Sequence, residues 1–492
     1  MEKRVLFATL LSILVLVIWS VLFRPQQEIV LQPLENKTLT SRNATSLSPF
    51  ASATTEEIDR GHYKVKFAPH LGGIKEVIFP DYHDYVFCLE GLYFPDLPSS
   101  FIKQDGFGQE KTFVYNDSQK RIIQTYNFSN SKYTIELTIR IQNQGDEELK
   151  LNLPFILARI YRATGQASRF QFQEGFFFTK DILRLSPWKN TVSAGPVKYL
   201  GFRETYFCAL LQPLNSSGQG FIKMVDAQQS ILGWELNTQV PANKEVMVKF
   251  LVYLGPQEPK FLQTADPAWP VIVHYGFFDP ISKTLLALLR FFHHLVRNWG
   301  LAIIVLSLFI YTILFPLSLK QIQAMKEMQL LQPKIEELRK IYKDNPQKLN
   351  KEIMELYRVH KVNPFGGCLP LLLQIPIFFA LYQALMRSLE LKGAKFLWIK
   401  DLSKPDQLFT LPWQLPIIGQ EINILPLLMC MIMFLQQKLT SKTTVSAEQQ
   451  KMMSILFPLL FGLIFYHMPA GLVLYWFLNS TLMFFYQLKI SK

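Results

Sequence analysis

Five hydrophobic runs, at residues 301–319, 368–386, 422–435, 452–468 and 471–488, crowd into the C-terminal part of the chain and limit its fold more than any other feature. Helices of such lengths approach the roughly 30 Å of bilayer hydrocarbon while satisfying their own backbone polar groups. A sixth run, 5–23, follows Glu2, Lys3 and Arg4. It is long enough to span, and neither a small-residue cleavage site nor a lipobox cysteine follows at Arg24, Pro25 and Gln26. A retained anchor over 1–24 with a cytoplasmic N-terminus is therefore expected, rather than a cleaved signal. The expected fold is a polytopic α-helical membrane protein with six transmembrane helices. The last two runs hold 17 and 18 residues, a reach of roughly 26 Å, which predicts local bilayer thinning.

A net charge of +13 suits either nucleic acid or anionic lipid, and placement decides between them. Many cations flank the apolar runs, which favours a membrane surface, at about 1 kcal/mol per Lys or Arg, and gives no reason to expect nucleic-acid specificity. Lys320, Lys326, Lys334, Arg339, Lys340, Lys343, Lys348, Lys351, Arg358 and Lys361 separate the second and third spans, so that segment is expected in the cytoplasm. The same count places residues 24–300 outside the cytoplasm and both termini inside. The external loop 387–420 is also fairly basic, so the charge rule is only partly obeyed.

Residues 25–59 are polar and aperiodic and read as a flexible linker. Alternation then begins: Tyr133, Ile135, Leu137, Ile139 and Ile141 interleave with polar residues, and after 143–146 the pattern resumes at Leu149, Leu151, Leu153 and Phe155. This predicts a hairpin within one antiparallel, sandwich-like β domain over 60–256. From 280 to 299 the period becomes helical. Ile281, Leu285, Leu288, Phe292, Leu295 and Val296 share a face opposite Lys283, Arg290, His294 and Arg297, as in an interfacial amphipathic helix or a surface helix of the preceding domain.

Catalytic motifs are missing. No Gly-Lys dipeptide exists for a phosphate loop, Gly106-Phe107-Gly108 lacks the third glycine of a dinucleotide site, and neither G-x-S-x-G nor H-E-x-x-H occurs. His293 and His294 are adjacent and point to different sides of a helix, and Cys88, Cys208, Cys368 and Cys430 show no metal spacing. No enzyme, cofactor or metal is expected. Whether Cys88 and Cys208 pair stays open.

In the cytoplasmic segment, Ile322, Met325, Met328, Leu331, Ile335, Leu338 and Ile341 recur at helical steps, with a reset at Pro333, and Leu349, Ile353, Leu356 and Tyr357 follow the Asn345-Pro346 break. An antiparallel helical hairpin over 320–362 is predicted, either a solvated spacer or a docking surface for polypeptide. Within the spans, Pro316, Pro370, Pro376, Pro426 and Pro458 recur together with Gln374, Gln383, Gln436 and Asn479, and few residues are charged. That argues against an ion pump. It leaves two readings, a shallow hydrated cavity or plain interhelical hydrogen bonding.

The segments NWGLAIIVLSLFIYTILFPLSLKQ, VNPFGGCLPLLLQIPIFFALYQAL and MPAGLVLYWFLNS resemble the YidC-type membrane protein insertases across 298–488. The large exported domain is similar to the β-supersandwich, related to sugar-mutarotase folds, of Gram-negative members, with His70-Leu71-Gly72-Gly73 a suggestive piece. The resemblance implies a five-helix insertase core over 277–488 and a periplasmic β domain over 60–276 in a bacterial inner-membrane protein. It implies insertion of nascent integral membrane proteins through a lipid-open hydrophilic groove, alone or beside the Sec translocon, with the ribosome as a further partner. By motif position the groove residues are Ser307, Tyr311, Gln374 and Trp476. The family usually carries an arginine five residues before the proline matching Pro316, where this chain has Tyr311, so the groove charge is missing. The competing reading is an assembly factor whose β domain grips exported partners and whose spans only anchor it.

Overall fold

The computed structural model describes residues 49–50, 54–98, 100–105, 110–128, 132–162, 172–189, 191–343, 345–360, 362, 369–415, 419–440 and 447–491. The expected anchor 1–24 and most of the expected linker lie outside them. The chain divides into two compact units that part between His274 and Tyr275.

The first unit is built from strands whose odd and even residues face water and core by turns. One four-stranded sheet orders β1 (Glu56–Asp59), β2 (Lys64–Ala68), β3 (Gly73–Phe79) and β4 (Tyr85–Gly91). A nine-stranded sheet runs β11 (Ile182–Leu185), β10 (Gln173–Phe178), β13 (Tyr199–Glu204), β14 (Phe207–Pro213), β17 (Glu245–Pro256), β8 (Thr134–Asn143), β7 (Lys120–Phe128), β6 (Glu110–Asn116), β5 (Ile102–Asp105). A third orders β12 (Val192–Ala194), β15 (Gln219–Met224), β16 (Gln229–Val240) and β9 (Leu149–Tyr161). Both smaller sheets cover the large one. Phe67 of β2 meets Phe113, Tyr126 and Phe128, while Phe155 of β9 stacks on Phe250 of β17 and Trp234 of β16 meets the same ring edge-on. Each such pair adds about 0.5–1.5 kcal/mol beyond its buried area.

Two expectations need correction here. Ile135, Leu137, Ile139 and Ile141 are fully buried as the alternation requires, but β8 and β9 form no hairpin. β8 pairs with β7 and β17, and β9 with β16. At the junction Asn143 donates to the carbonyls of Glu147 and Val240, turning the chain from one sheet into the other. The expected linker also yields at its end. Glu56–Asp59 pairs antiparallel with β2, from Glu56 opposite Phe67 to Asp59 opposite Lys64, and Phe50 is buried against Tyr93. A strand spelled Glu-Glu-Ile-Asp carries too little apolar signal to be read before its partner is known. Cys88 and Cys208 are both free thiols, on β4 and β14.

Below the strands, α1 (Pro259–Ala265) and the buried Trp269 and Ile272 close the unit. Glu174 receives Arg203 at 2.6 Å and Arg184 at 3.0 Å, and the two guanidinia also hold the carbonyls of His274, Ile272 and Val271. Burial lowers the Arg203 guanidinium from its usual value, and Glu174 opposes that shift.

The second unit contains α2 (Asp279–Val296), α3 (Trp299–Leu330), α4 (Gln332–Ile341), α5 (Pro346–Val359), α6 (Leu369–Met386), α7 (Ile424–Thr440), α8 (Ala447–Phe465) and α9 (Ala470–Ser491). Among the described residues one helix segment, Trp299–Leu319, is long and apolar enough by itself to cross a membrane, and Gln374–Met386, Ile424–Lys438 and Ile455–Phe465 are shorter apolar stretches. α9 has 22 residues, a reach of about 33 Å at 1.5 Å per residue, so length gives no reason for thinning there. α2 packs on α3 and α6, which removes the alternative that it is a surface helix of the β unit. Its apolar side is two stripes rather than one. Ser282, Leu285, Leu286, Leu289 and Phe292 are buried, whereas Ile281, Phe291 and Leu295 stand exposed. α4 and α5 form the expected hairpin around Leu331, Ile335, Tyr357 and Val362.

Candidate functional site

Burial along the helices is graded. Ile303 at the start of α3, Leu385 at the end of α6, Leu425 at the start of α7, Phe465 at the end of α8 and Leu472 at the start of α9 are buried. Ile313, Ile375, Phe434, Ile455 and Phe485, further from those ends along the same five helices, are 41–60% exposed. Because successive helices reverse direction, the buried halves gather at one end. Among the described residues the bundle is closed there and open at the other.

The closed end is sealed by the connection between α6 and α7. Asp406, almost fully buried, accepts from the backbone N–H groups of Ile424 and Leu425 and from the Trp398 indole, so a distant carboxylate caps α7. Asn423 accepts from Gln407 N and donates to Tyr466 O, and Tyr466 donates to Glu421 O, which ties α7 to the end of α8. At the start of α9, Ala470 N and Gly471 N donate to Lys404 O and Leu402 O. A methyl group on Gly471 would come within 3.2 Å of Ile303 Cδ1 and Leu402 O, and one on Gly300 would collide with the Phe396 ring, so both glycines permit close approach. On the flank, the Ser282 hydroxyl donates to Ala380 O at 2.8 Å, fixing α2 on α6. His293 stacks on Trp299, a packing role for one of the adjacent histidines.

Towards the open end stand the positions singled out by motif. Ser307 lies at the boundary, fully buried, with its hydroxyl spent on Ile303 O one turn back. Tyr311, one turn further, is different. Its ring lies 6.0 Å from that of Phe315, which in turn meets Tyr486 of α9, yet its buried hydroxyl has no hydrogen-bond partner among the described residues. The Gln487 side-chain oxygen on α9 is likewise buried without a partner among the described residues. Each orphaned polar group costs about 1–3 kcal/mol unless water or a bound molecule satisfies it.

Gln374 on α6 donates to the Tyr475 hydroxyl on α9 at 2.6 Å. Here an amide does bridge two helices, which is the plain hydrogen-bonding alternative for this one residue. Trp476, the next residue on α9, packs against Phe378 of α6 and against Phe461 and Phe465 of α8. Pro316, Pro376 and Pro458 lie inside α3, α6 and α8. Each removes one backbone hydrogen bond and frees a carbonyl, and the Pro458 carbonyl itself accepts from the Cys430 thiol.

The structure therefore joins Gln374 with Tyr475 and surrounds Trp476 with aromatic rings, and it leaves Ser307 and Tyr311 on a separate helix. Sequence reasoning missed Tyr475, Asp406 and Asn423. Asn423 had a local signal, an N-cap residue just before an apolar helix. Asp406 had none, because it acts on a helix 18 residues ahead.

The family model described as "60Kd inner membrane protein" matches residues 291–492, and that described as "YidC periplasmic domain" matches 99–288. A membrane protein insertase YidC of Pelobacter propionicus is 33% identical across 100% of this chain and 99% of its own. One from Geobacter sulfurreducens is 30% identical over 100% and 98%. A crystal structure described as an active YidC insertase with the first transmembrane domain resolved aligns with a TM-score of 0.40 at 21% identity, covering 89% of this chain and 95% of that one.

Proposed function

This chain belongs to the YidC family of membrane protein insertases, and we propose that it inserts its clients through a hydrated groove at the open end of the helical bundle. Members of this family are not enzymes. They act on nascent membrane proteins at the inner membrane and carry a periplasmic domain, here the β-rich unit matched by its own family model. The finer reading follows from the helices. The anchor 1–24 and the five helices α3, α6, α7, α8 and α9 make six spans. Both termini and the hairpin 320–362 are cytoplasmic, residues 60–276 form the periplasmic domain, and 277–488 form the insertase core. The sealed end then faces the periplasm and the open end the cytoplasm.

The burial gradient carries this reading, and the unpaired hydroxyl of Tyr311 gives it chemistry. A polar residue taken to the bilayer centre costs about 2.5–3.5 kcal/mol on insertion scales. Water held between α3, α6 and α9 lowers that cost for the hydrophilic flank of a client, while its apolar segment slides out along the exposed faces of the helices. Tyr311 and Gln374 supply hydrogen bonds and Trp476 an apolar wall, and Ser307 contributes packing. Without the family's arginine the groove has no strong preference for acidic segments. No nucleotide is consumed, because partition of the apolar segment into lipid drives the step. Exposed Leu330, Ile341, Met354 and Val359 on the cytoplasmic hairpin and the end of α3 offer a surface for the Sec translocon or the ribosome.

Reconstitution into liposomes with a single-span client bearing a short exported tail tests this. Protease protection above that of empty liposomes, without nucleotide, is expected. No protection with several clients and correctly oriented protein would return the assembly-factor reading.

A further inference from the structure

The basic residues of the external loop, which break the charge rule, sit beside apolar side chains with no protein cover. Phe396 and Ile399 exchange backbone hydrogen bonds at 2.9 and 2.8 Å, and both rest in the core of the unit. The turn between them thrusts Leu397 outward, while Trp398 keeps its indole N–H on the buried Asp406 and is 36% exposed. Leu397 takes a positive φ of 50° and is 76% exposed. A leucine in that conformation is strained by roughly 1–2 kcal/mol, and here the strain displays an apolar side chain instead of hiding it.

Ten residues on, β18 (Phe409–Leu415) pairs with β19 (Gly419–Ile422). Phe409 and Trp413 of β18 are 50% and 61% exposed, next to the exposed Leu408. Lys395, Lys400 and Lys404 are exposed along the same loop. Of its carboxylates, Glu390 is engaged by Arg290 and Asp406 by the start of α7, which leaves Asp401 and Glu421 against those three lysines.

The occupant follows from continuity. β19 runs directly into α7, whose outward Leu427 and Met431 are 51% and 52% exposed, as suits a lipid-facing span. Tryptophan and other aromatics flanked by lysine are the side chains that settle at the boundary of headgroups and acyl chains. We propose that residues 395–413 form an interfacial membrane anchor. Leu397, Phe409 and Trp413 enter the headgroup boundary of the leaflet at the sealed end, and Lys395, Lys400 and Lys404 bind anionic lipid headgroups. The cations outside the cytoplasm then serve lipid attachment rather than topology. Which leaflet is involved rests on the orientation proposed above, but the depth of Trp413 does not depend on insertase activity.

The full chain and its Trp413→Phe variant, which keeps an apolar ring, would be reconstituted in vesicles of phosphatidylcholine and phosphatidylglycerol, with or without bromine on the acyl chains. The emission of Trp413, taken by difference, should be lost in brominated vesicles and spared by aqueous acrylamide. Replacing Lys395, Lys400 and Lys404 with glutamine should reduce that loss in anionic vesicles and leave it unchanged in pure phosphatidylcholine. Quenching by acrylamide alone would place the hairpin in water, and protection from both quenchers would place it under protein. Either result overturns the anchor.

Discussion

The β unit and the helical unit use apolar side chains in opposite ways. In β8 every second residue is fully buried, and the aromatic rings of three sheets close on one another. In the helical unit Ile313 and Phe485 stand 60% exposed on helices that lack charge through their spans. Water selects one face of each strand, because exposed apolar area costs about 25 cal/mol per Å². Lipid imposes no such selection, so in the helices it is the rare polar contacts that fix position. Damage to the β unit should therefore appear as lost stability, and damage to the polar contacts of the helices as lost insertion.

The largest effect expected from a single substitution is Glu174→Leu in the β unit. The buried Arg203 guanidinium and the partly buried Arg184 would lose their shared carboxylate, at about 3–5 kcal/mol. Thermal unfolding of the full chain should show the β unit melting well below its normal temperature, while liposome insertion of a short-tailed client holds. A parallel fall in insertion would break the separation of roles.

Asn423→Ala comes next. It leaves Gln407 N and Tyr466 O without partners at the sealed end, a cost of about 1–3 kcal/mol each way the groups stay dry. Insertion should fall with no change in the melting of the β unit. If the β unit melted earlier instead, the sealed end would not be an independent feature of the helices.

Tyr311 sharpens the comparison at the groove. Tyr311→Phe removes a hydroxyl without a partner among the described residues, so the fold should not weaken, but clients with polar tails should insert roughly fivefold more slowly, equivalent to about 1 kcal/mol. Tyr311→Arg should insert, with a gain for acidic tails. Unchanged insertion in the phenylalanine variant together with abolition in the arginine variant would remove this residue from the groove.

The smallest effect concerns Arg290 and Glu390, paired at 2.7 Å. Burial acts to raise the Glu390 carboxyl, but the Arg290 charge and the Ser388 hydroxyl outweigh it and hold it below its ordinary value. The pairing therefore stabilises fully above the ordinary carboxylate range and is lost as pH falls through the lowered value. Arg290 is partly exposed, so the gain is at most about 1 kcal/mol. Melting of the helical unit should be flat from neutral pH to the carboxylate range and fall below it, and Arg290→Gln should flatten that fall.

The same contrast explains what was legible in the sequence. Alternation at Ile135, Leu137, Ile139 and Ile141 gave the strand, because period two survives without knowledge of partners. It did not give the pairing, since β8 and β9 look like a hairpin until Asn143 is seen turning the chain into another sheet. Apolar runs and prolines located the helices of the core. Their length could not say which half of each is covered, because burial there depends on a loop that folds back from α6. Motif position singled out Gln374 and Trp476 but not Tyr475, whose hydroxyl matters only because α6 crosses it.

Deleting residues 60–256 and reconstituting the remainder beside the full chain, with the same single-span client, tests the division most directly. Protease protection that largely survives is the predicted result. Loss of all protection, with the shortened protein correctly oriented in the vesicles, would contradict the account and make the β unit the working part.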